Sequence, residues 1–181
     1  MVQLDGIFIL AELKGPAGER IREINERYDP RLARYKPPHL SIAGSSGVGP
    51  IPPGISVDEL RKKLEPITSS TPPLQLSFGP PHRFLQTRII VLPLDHFGPL
   101  RELHDRIATS GLPFGRARYT FSPHCTLSLY ATHSPEVEKE ILRARIDEPV
   151  LIDAIQLYHT RDPQPSRKLL ELPLTGGNPA H

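Results

Sequence analysis

Tryptophan is missing from this chain, and methionine and cysteine occur once each, the cysteine at position 125. A lone thiol excludes an internal disulfide and any cysteine-built zinc cage. It suits a reducing compartment, so a cytoplasmic protein is expected. No run of about 18 apolar residues occurs, and the first twelve residues carry Asp5 and Glu12 without a basic leader, so neither a membrane span nor a secretion signal is expected. A surplus of one charge is lacking too. Twenty-two Lys and Arg against 20 Asp and Glu leave a formal charge of +2, which argues against holding long duplex nucleic acid by neutralising phosphates. A short anionic ligand needing a few Arg or Lys contacts stays open. Proline is abundant instead: 22 residues where average usage gives roughly nine. They stand between periodic segments, so they punctuate a fold of 181 residues that is long enough to bury a proper core.

Apolar periodicity divides the chain. Residues 5–13 are short, apolar and closed by Gly15-Pro16, which predicts a buried strand. Ile21, Ile24 and Tyr28 fall at helical spacing until Asp29-Pro30 interrupts them. A strand is expected at His39 to Ala43, then a Gly/Ser/Pro loop over 44–54. Ser56 and Glu59 form a capping box for a helix with Val57, Leu60 and Leu64 on its apolar face, which Pro66 is expected to stop. Strands follow at Leu74 to Phe78 and Arg88 to Leu94. Phe97, Leu100, Leu103 and Ile107 mark a helix closed by Gly111. A strand from His124 to Tyr130, a helix begun by Ser134-Pro135, and strands at Val150 to Tyr158 and Lys168 to Leu174 complete the pattern. Strands and helices alternate in each half, which predicts a mixed α/β or α+β fold of two similar lobes. The expected division is lobe one over about 1–95 and lobe two over about 96–181 of a single bilobal domain, with terminal strands exchanged between lobes.

Two segments match where their surroundings do not: Pro37-Pro38-His39-Leu40-Ser41-Ile42 and Ser122-Pro123-His124-Cys125-Thr126-Leu127. Each reads Pro, His, a residue of apolar or weakly polar character, a hydroxyl residue, then an aliphatic one. They lie 85 positions apart (124 minus 39), nearly half the chain. On a strand, alternate side chains share a face, so His39 and Ser41 stand opposite Leu40 and Ile42, and His124 and Thr126 stand opposite Cys125 and Leu127. Each segment thus offers an imidazole beside a hydroxyl and turns an apolar side to the core. Pro80-Pro81-His82 shares the Pro-His step but continues Arg83-Phe84 without a hydroxyl.

Two imidazoles suit phosphodiester hydrolysis. A base must take a proton from water and an acid must give one to the leaving alkoxide, and an unperturbed pKa of about 6.5 serves both near neutral pH. Hydroxyls at Ser41 and Thr126 suit hydrogen bonds to non-bridging oxygens. This scheme asks for no metal and no cofactor.

The paired His-x-Ser/Thr motifs, one per half, resemble the 2H phosphoesterase superfamily, whose members include 2'-5' RNA ligase-like proteins and 2',3'-cyclic phosphodiesterases. The resemblance runs from Ile7 to near Leu174 and implies a duplicated two-lobe α+β fold, with antiparallel sheets around a central cleft and helices outside. It gives His39 and His124 the acid and base roles, and Ser41 and Thr126 the phosphate-binding roles. It implies a cyclic nucleotide or an RNA terminus with a cyclic phosphate as partner, or a 2'-5' linkage, acted on by a monomer without metal. The first motif departs from the family in carrying Ser for the commoner Thr. The final strand carries Lys168-Leu169 where a tyrosine is expected.

Other residues are weighed against packing. Tyr130 shares strand parity with His124 and Thr126 and is a candidate for stacking on a base, against a half-buried strand end. Arg118, with Arg116 two residues before it, is a candidate for ligand contact, against solvent. Phe8 is expected in the core. His96, His104, His133, His159 and His181 have no partner at metal-ligand spacing. Cys125 points away from His124 by parity, which argues against a Cys-His nucleophile. The rival reading is a non-catalytic module that binds an RNA end or nucleotide in the same cleft; a metallohydrolase is a second.

Overall fold

The computed structural model describes residues 4–177. Its elements are β1 (Asp5–Glu12), α1 (Gly15–Tyr28), α2 (Pro30–Tyr35), β2 (His39–Ala43), α3 (Val57–Thr68), β3 (Leu74–Leu76) and β4 (His82–Arg83). They continue with β5 (Ile90–Pro93), α4 (Pro99–Ala108), β6 (His124–Ser128), α5 (Pro135–Leu142), β7 (Val150–Ile152), β8 (Ala154–Arg161) and β9 (Arg167–Pro173). Seven strands form one antiparallel sheet in the order β4-β5-β6-β2-β1-β8-β9, and β3 pairs β7 apart from it. The mixed α+β class read from the sequence is the one the molecule adopts. The chain's two halves meet where β2 pairs β6 through Leu40 and Cys125. Strands β4 and β5 lie beyond β6, whereas β8 and β9 lie beyond β1.

Alternation along the strands gives the sheet two unlike faces. One carries Ile7, Ile9, Ala11, Leu40, Ile42, Leu92, Cys125, Leu127, Ile155 and Leu157, all buried in the main core. Each fully buried Ile or Leu contributes about 1.5–3 kcal/mol. Helix α4 packs against β2 and α1 against β6, and α3 closes on β9. The opposite face carries Phe8, Leu10 and Glu12 of β1, with Leu10 opposite Ser41 and Glu12 opposite His39. It continues with Val91 opposite Thr126 and Pro93 opposite His124. Phe8, Leu10 and Tyr158 form a small apolar cluster there, separate from the main core.

Local signals account for most boundaries. Ser56 Oγ accepts the Glu59 N–H and Ser134 Oγ the Val137 N–H, capping α3 and α5. Several expectations need correction. Pro66 does not stop α3, which runs on to Thr68; a missing N–H in a last turn removes one bond, and apolar contacts of Ile67 with the core hold the end. Pro30 does not merely interrupt α1. It opens a second helix, with Asp29 accepting the Leu32 N–H as its cap. Phe97 lies ahead of α4, 76 % exposed, because Gly98 at φ +98 turns the chain into the helix. Residues 150–158 are not one strand: they divide at Asp153 into β7, which pairs β3, and β8, which pairs β1. Strand β4 has no counterpart among the expected elements, and β6 ends at Ser128, short of Tyr130. Among the described residues no helix is long and apolar enough to cross a membrane.

Candidate active site

The two motifs occupy β2 and β6, neighbouring antiparallel strands whose burial patterns are identical residue for residue: half-buried, buried, half-buried, buried, buried. With Leu40 opposite Cys125, antiparallel geometry sets Ser41 alongside His124 and Thr126 alongside His39. The two imidazoles therefore stand diagonally on one face, at a backbone spacing of about 7–8 Å, each beside the other motif's hydroxyl. The prolines ahead of them serve the same ladder. Pro38 O accepts the Leu13 N–H at 2.9 Å and Pro123 O the Leu94 N–H at 3.1 Å; neither residue has an N–H to lose.

Both rings are held alike. His39 Nδ1 lies 2.7 Å from Pro37 O and His124 Nδ1 2.8 Å from Ser122 O. A carbonyl only accepts, so Nδ1 carries a hydrogen in each ring and Nε2 is the nitrogen left to take up or release a proton. Burial, then the nearby Lys36 ammonium, push the His39 imidazole down to about 4 against the pull of the Pro37 carbonyl; His124 adds to the repulsion. Burial also lowers His124, with the Ser122 carbonyl opposing it and His82 assisting it. The Phe84 ring packs edge-on against His124 at 5.0 Å between centroids. The arrangement sets two imidazoles and two hydroxyls on one face of the sheet, a set able to pass protons in opposite directions across a bound group.

A family model described as the 2'-5' RNA ligase superfamily matches residues 13–164, most of the chain and both motifs. The chain belongs to the 2'-5' RNA ligase superfamily. Solved structures agree on its fold. LigT of E. coli complexed with phosphate superposes at a TM-score of 0.58 with 17 % identity, covering 96 % of this chain and 99 % of LigT. LigT complexed with 3'-AMP gives 0.55 and 17 %, covering 94 % and 98 %. TT0787 of Thermus thermophilus gives 0.67 and 13 %, covering 97 % and 100 %. No curated protein matches the sequence significantly.

Within this superfamily member the remaining candidates are placed as follows. Tyr130 lies past the end of β6, so strand parity no longer orients it. It is half-buried, edge-on to Tyr35 at 6.0 Å, with the Arg31 guanidinium 4.1 Å from its ring centroid. Arg118 stands in the loop before β6, its guanidinium 5.4 Å from the Tyr119 ring. Arg116 is in the same loop and not on a strand. Phe8 is buried in core packing, as expected, in the small apolar cluster that it forms with Leu10 and Tyr158 on the histidine face. Burial pushes the Cys125 thiol up to about 12, as its inward parity requires. His104 is buried, its Nδ1 2.6 Å from Ile42 O and its ring stacked on Phe121 at 4.0 Å. His133 Nε2 meets Ser128 Oγ at 2.8 Å, and His159 pairs with Asp5 at 2.7 Å. His181 lies outside the described residues. Among the described residues no three His, Cys, Asp or Glu gather as a metal set.

Four residues of the site region escape a reading of the sequence. Glu12, opposite His39, accepts the Tyr158 hydroxyl and the Lys168 ammonium, the latter at 2.7 Å. Burial pushes its carboxyl up, yet these two hydrogen bonds prevail and hold it below the usual range. Strand parity is a signal for it, since Phe8, Leu10 and Glu12 alternate. Lys36 sends its ammonium over the Phe8 ring at 4.8 Å. It lines a cavity of about 420 Å³ beside Pro37, Pro38 and Tyr158. Asn25 and Asp29 hold β6 from behind. The Asn25 amide donates to Thr126 O and Leu127 O at 3.2 and 2.9 Å. Asp29 Oδ2 accepts the Leu129 and Tyr130 N–H groups at 2.6 and 2.7 Å. No local pattern announces a buried carboxylate whose partners lie about a hundred residues away.

Proposed function

We propose that this chain is a phosphoesterase that opens a 2',3'-cyclic phosphate, on an RNA end or a small nucleotide, to a monoester by two-histidine acid/base catalysis without a metal. The observation that carries the reading is the matched pair of imidazoles, each locked through Nδ1 with Nε2 free, set diagonally on one face beside the hydroxyls of Ser41 and Thr126. His39, kept neutral by burial and by Lys36, is the base. Its Nε2 takes a proton from water as the water oxygen bonds to phosphorus. His124 is the acid. Its protonated form is favoured once an anion is bound, and it delivers a proton to the 2' or 3' oxygen as that P–O bond breaks. Ser41 and Thr126 donate to the non-bridging oxygens, where charge accumulates. Exchange of one proton with solvent at each ring restores the starting state. The LigT structures solved with phosphate and with 3'-AMP support a nucleotide phosphate as the occupant. The same geometry serves a 2'-5' phosphodiester, whose leaving group is also a ribose oxygen.

The test is hydrolysis of the four nucleoside 2',3'-cyclic phosphates by the purified chain, with and without chelator, beside His39→Ala and His124→Ala. Each substitution is expected to lower kcat by about 10²–10⁴-fold, and the chelator to change nothing. Binding of nucleotide without turnover in the unaltered chain would favour the non-catalytic module, and loss of turnover on chelation a metallohydrolase.

A further inference from the structure

We propose that Lys36 is a third ligand of the reacting phosphate, its ammonium donating to a non-bridging oxygen on the Ser41 side. The proposal rests on the phosphodiester reading of the site. Lys36 leaves the end of α2 just ahead of Pro37 and Pro38, whose fixed φ angles limit how the segment moves relative to β2. Its ammonium lies 4.8 Å from the Phe8 ring centroid and 5.6 Å from that of Tyr35. Phe8 shares a face of β1 with Leu10 and Glu12, which stand opposite Ser41 and His39. A side chain rooted three residues ahead of His39 and ending over Phe8 thus brings its ammonium to the sheet face that carries the Ser41 hydroxyl. The field of the same ammonium at His39 places it within electrostatic reach of the imidazole.

The cation is held at a cost. Burial brings the Lys36 ammonium down to about 8, with Asp162 pulling the other way, and the Tyr35 hydroxyl donates to that carboxylate at 2.6 Å. The Phe8 and Tyr35 ring faces offset part of that cost. A phosphodiester anion returns more, through a charge-assisted hydrogen bond. The chemistry needs such a charge. Ser41 and Thr126 are neutral donors, and negative charge on the non-bridging oxygens grows as water adds to phosphorus. Lys36 forms no covalent bond and passes no proton; it keeps its own through the step. The titratable and charged groups around it are His39 of β2, Tyr35 and Arg34 of α2, Arg22 and Glu26 of α1, Tyr158 of β8, and Asp162.

Lys36→Met and Lys36→Arg test this with a nucleoside 2',3'-cyclic phosphate. Lys36→Met should lower kcat by about 10²–10³-fold, with a smaller change in KM, as expected for a donor used mainly in the transition state. Lys36→Arg should recover at least about a tenth of the activity. Wild-type kcat/KM should fall above about pH 8 as the ammonium is lost, and Lys36→Arg should abolish that alkaline limb, because arginine keeps its charge. If Lys36→Met does not fold, the alkaline limb of Lys36→Arg decides. If the wild type turns over no cyclic phosphate, the reading of the site fails separately, and calorimetric binding of inorganic phosphate decides for Lys36. Wild type should then bind about tenfold more tightly than Lys36→Met. Activity of Lys36→Met within about threefold of wild type, an alkaline limb unmoved in Lys36→Arg, or equal phosphate affinity in the second case would overturn the proposal.

Discussion

Acidification isolates one consequence of burying His39 neutral. Its imidazole goes from an ordinary 6.5 to about 4 in the folded protein. The unfolded chain therefore binds a proton between those values that the folded one refuses. Stability from this group is complete above 6.5 and drains away as pH falls toward 4. The full difference of about 2.5 units, at about 1.36 kcal/mol each, is about 3.4 kcal/mol, of which about 2.5 kcal/mol is gone by about pH 4.5. These are ceilings, because part of the ring remains open to water. Urea melts of wild type and His39→Gln at about pH 7.5 and about pH 4.5 measure it: the glutamine removes the titration, so the difference in slope belongs to His39. The wild type should lose about 1–2.5 kcal/mol more than the variant over that interval. Equal losses in the two proteins would refute a histidine held neutral by burial. His124 is lowered too, in the same direction, so His124→Gln should flatten the acid dependence in like manner.

Other outcomes follow from contacts already described. Asp29→Ala strands the Leu129, Tyr130 and Leu32 N–H groups, and chemical denaturation should find it less stable by about 3 kcal/mol or more, with activity falling as the end of β6 loosens. Gly44→Ala places a Cβ 2.5 Å from the Phe8 ring at φ +122. It should cost about 1–3 kcal/mol and, by crystallography, displace that ring. The Cys125 thiol should resist a disulfide reagent in the native protein and react at once in denaturant. Cys125→Ala should leave kcat within about twofold.

Much of this architecture is legible in the sequence because alternation and caps are local signals. Leu40 and Ile42 place one motif strand and Cys125 and Leu127 the other, since parity alone fixes which side faces the core. Ser56 and Ser134 mark two helix starts through bonds spanning three residues. Asp29-Pro30 is a cap and first-turn proline of the same local kind, its bond to the Leu32 N–H also spanning three residues, and reading Pro30 only as a breaker passes over that signal. Legibility ends where partners are distant. The split of residues 150–158 depends on β3, about 75 positions earlier, which competes with β1 for the same segment. The alternation that would orient Tyr130 stops at Ser128, once Asp29 draws the following backbone N–H groups aside. Charged residues read as solvated by default, and that default conceals Glu12 and Lys36, although both stand on the histidine face.

A double-mutant cycle on cyclic phosphate hydrolysis probes most directly whether the two imidazoles work as a unit. If His39 and His124 serve one step, His39→Ala/His124→Ala should fall little further than the worse single variant, because removing either member already disables the proton relay. Rates that multiply, or a single variant that retains wild-type kcat, would contradict the account.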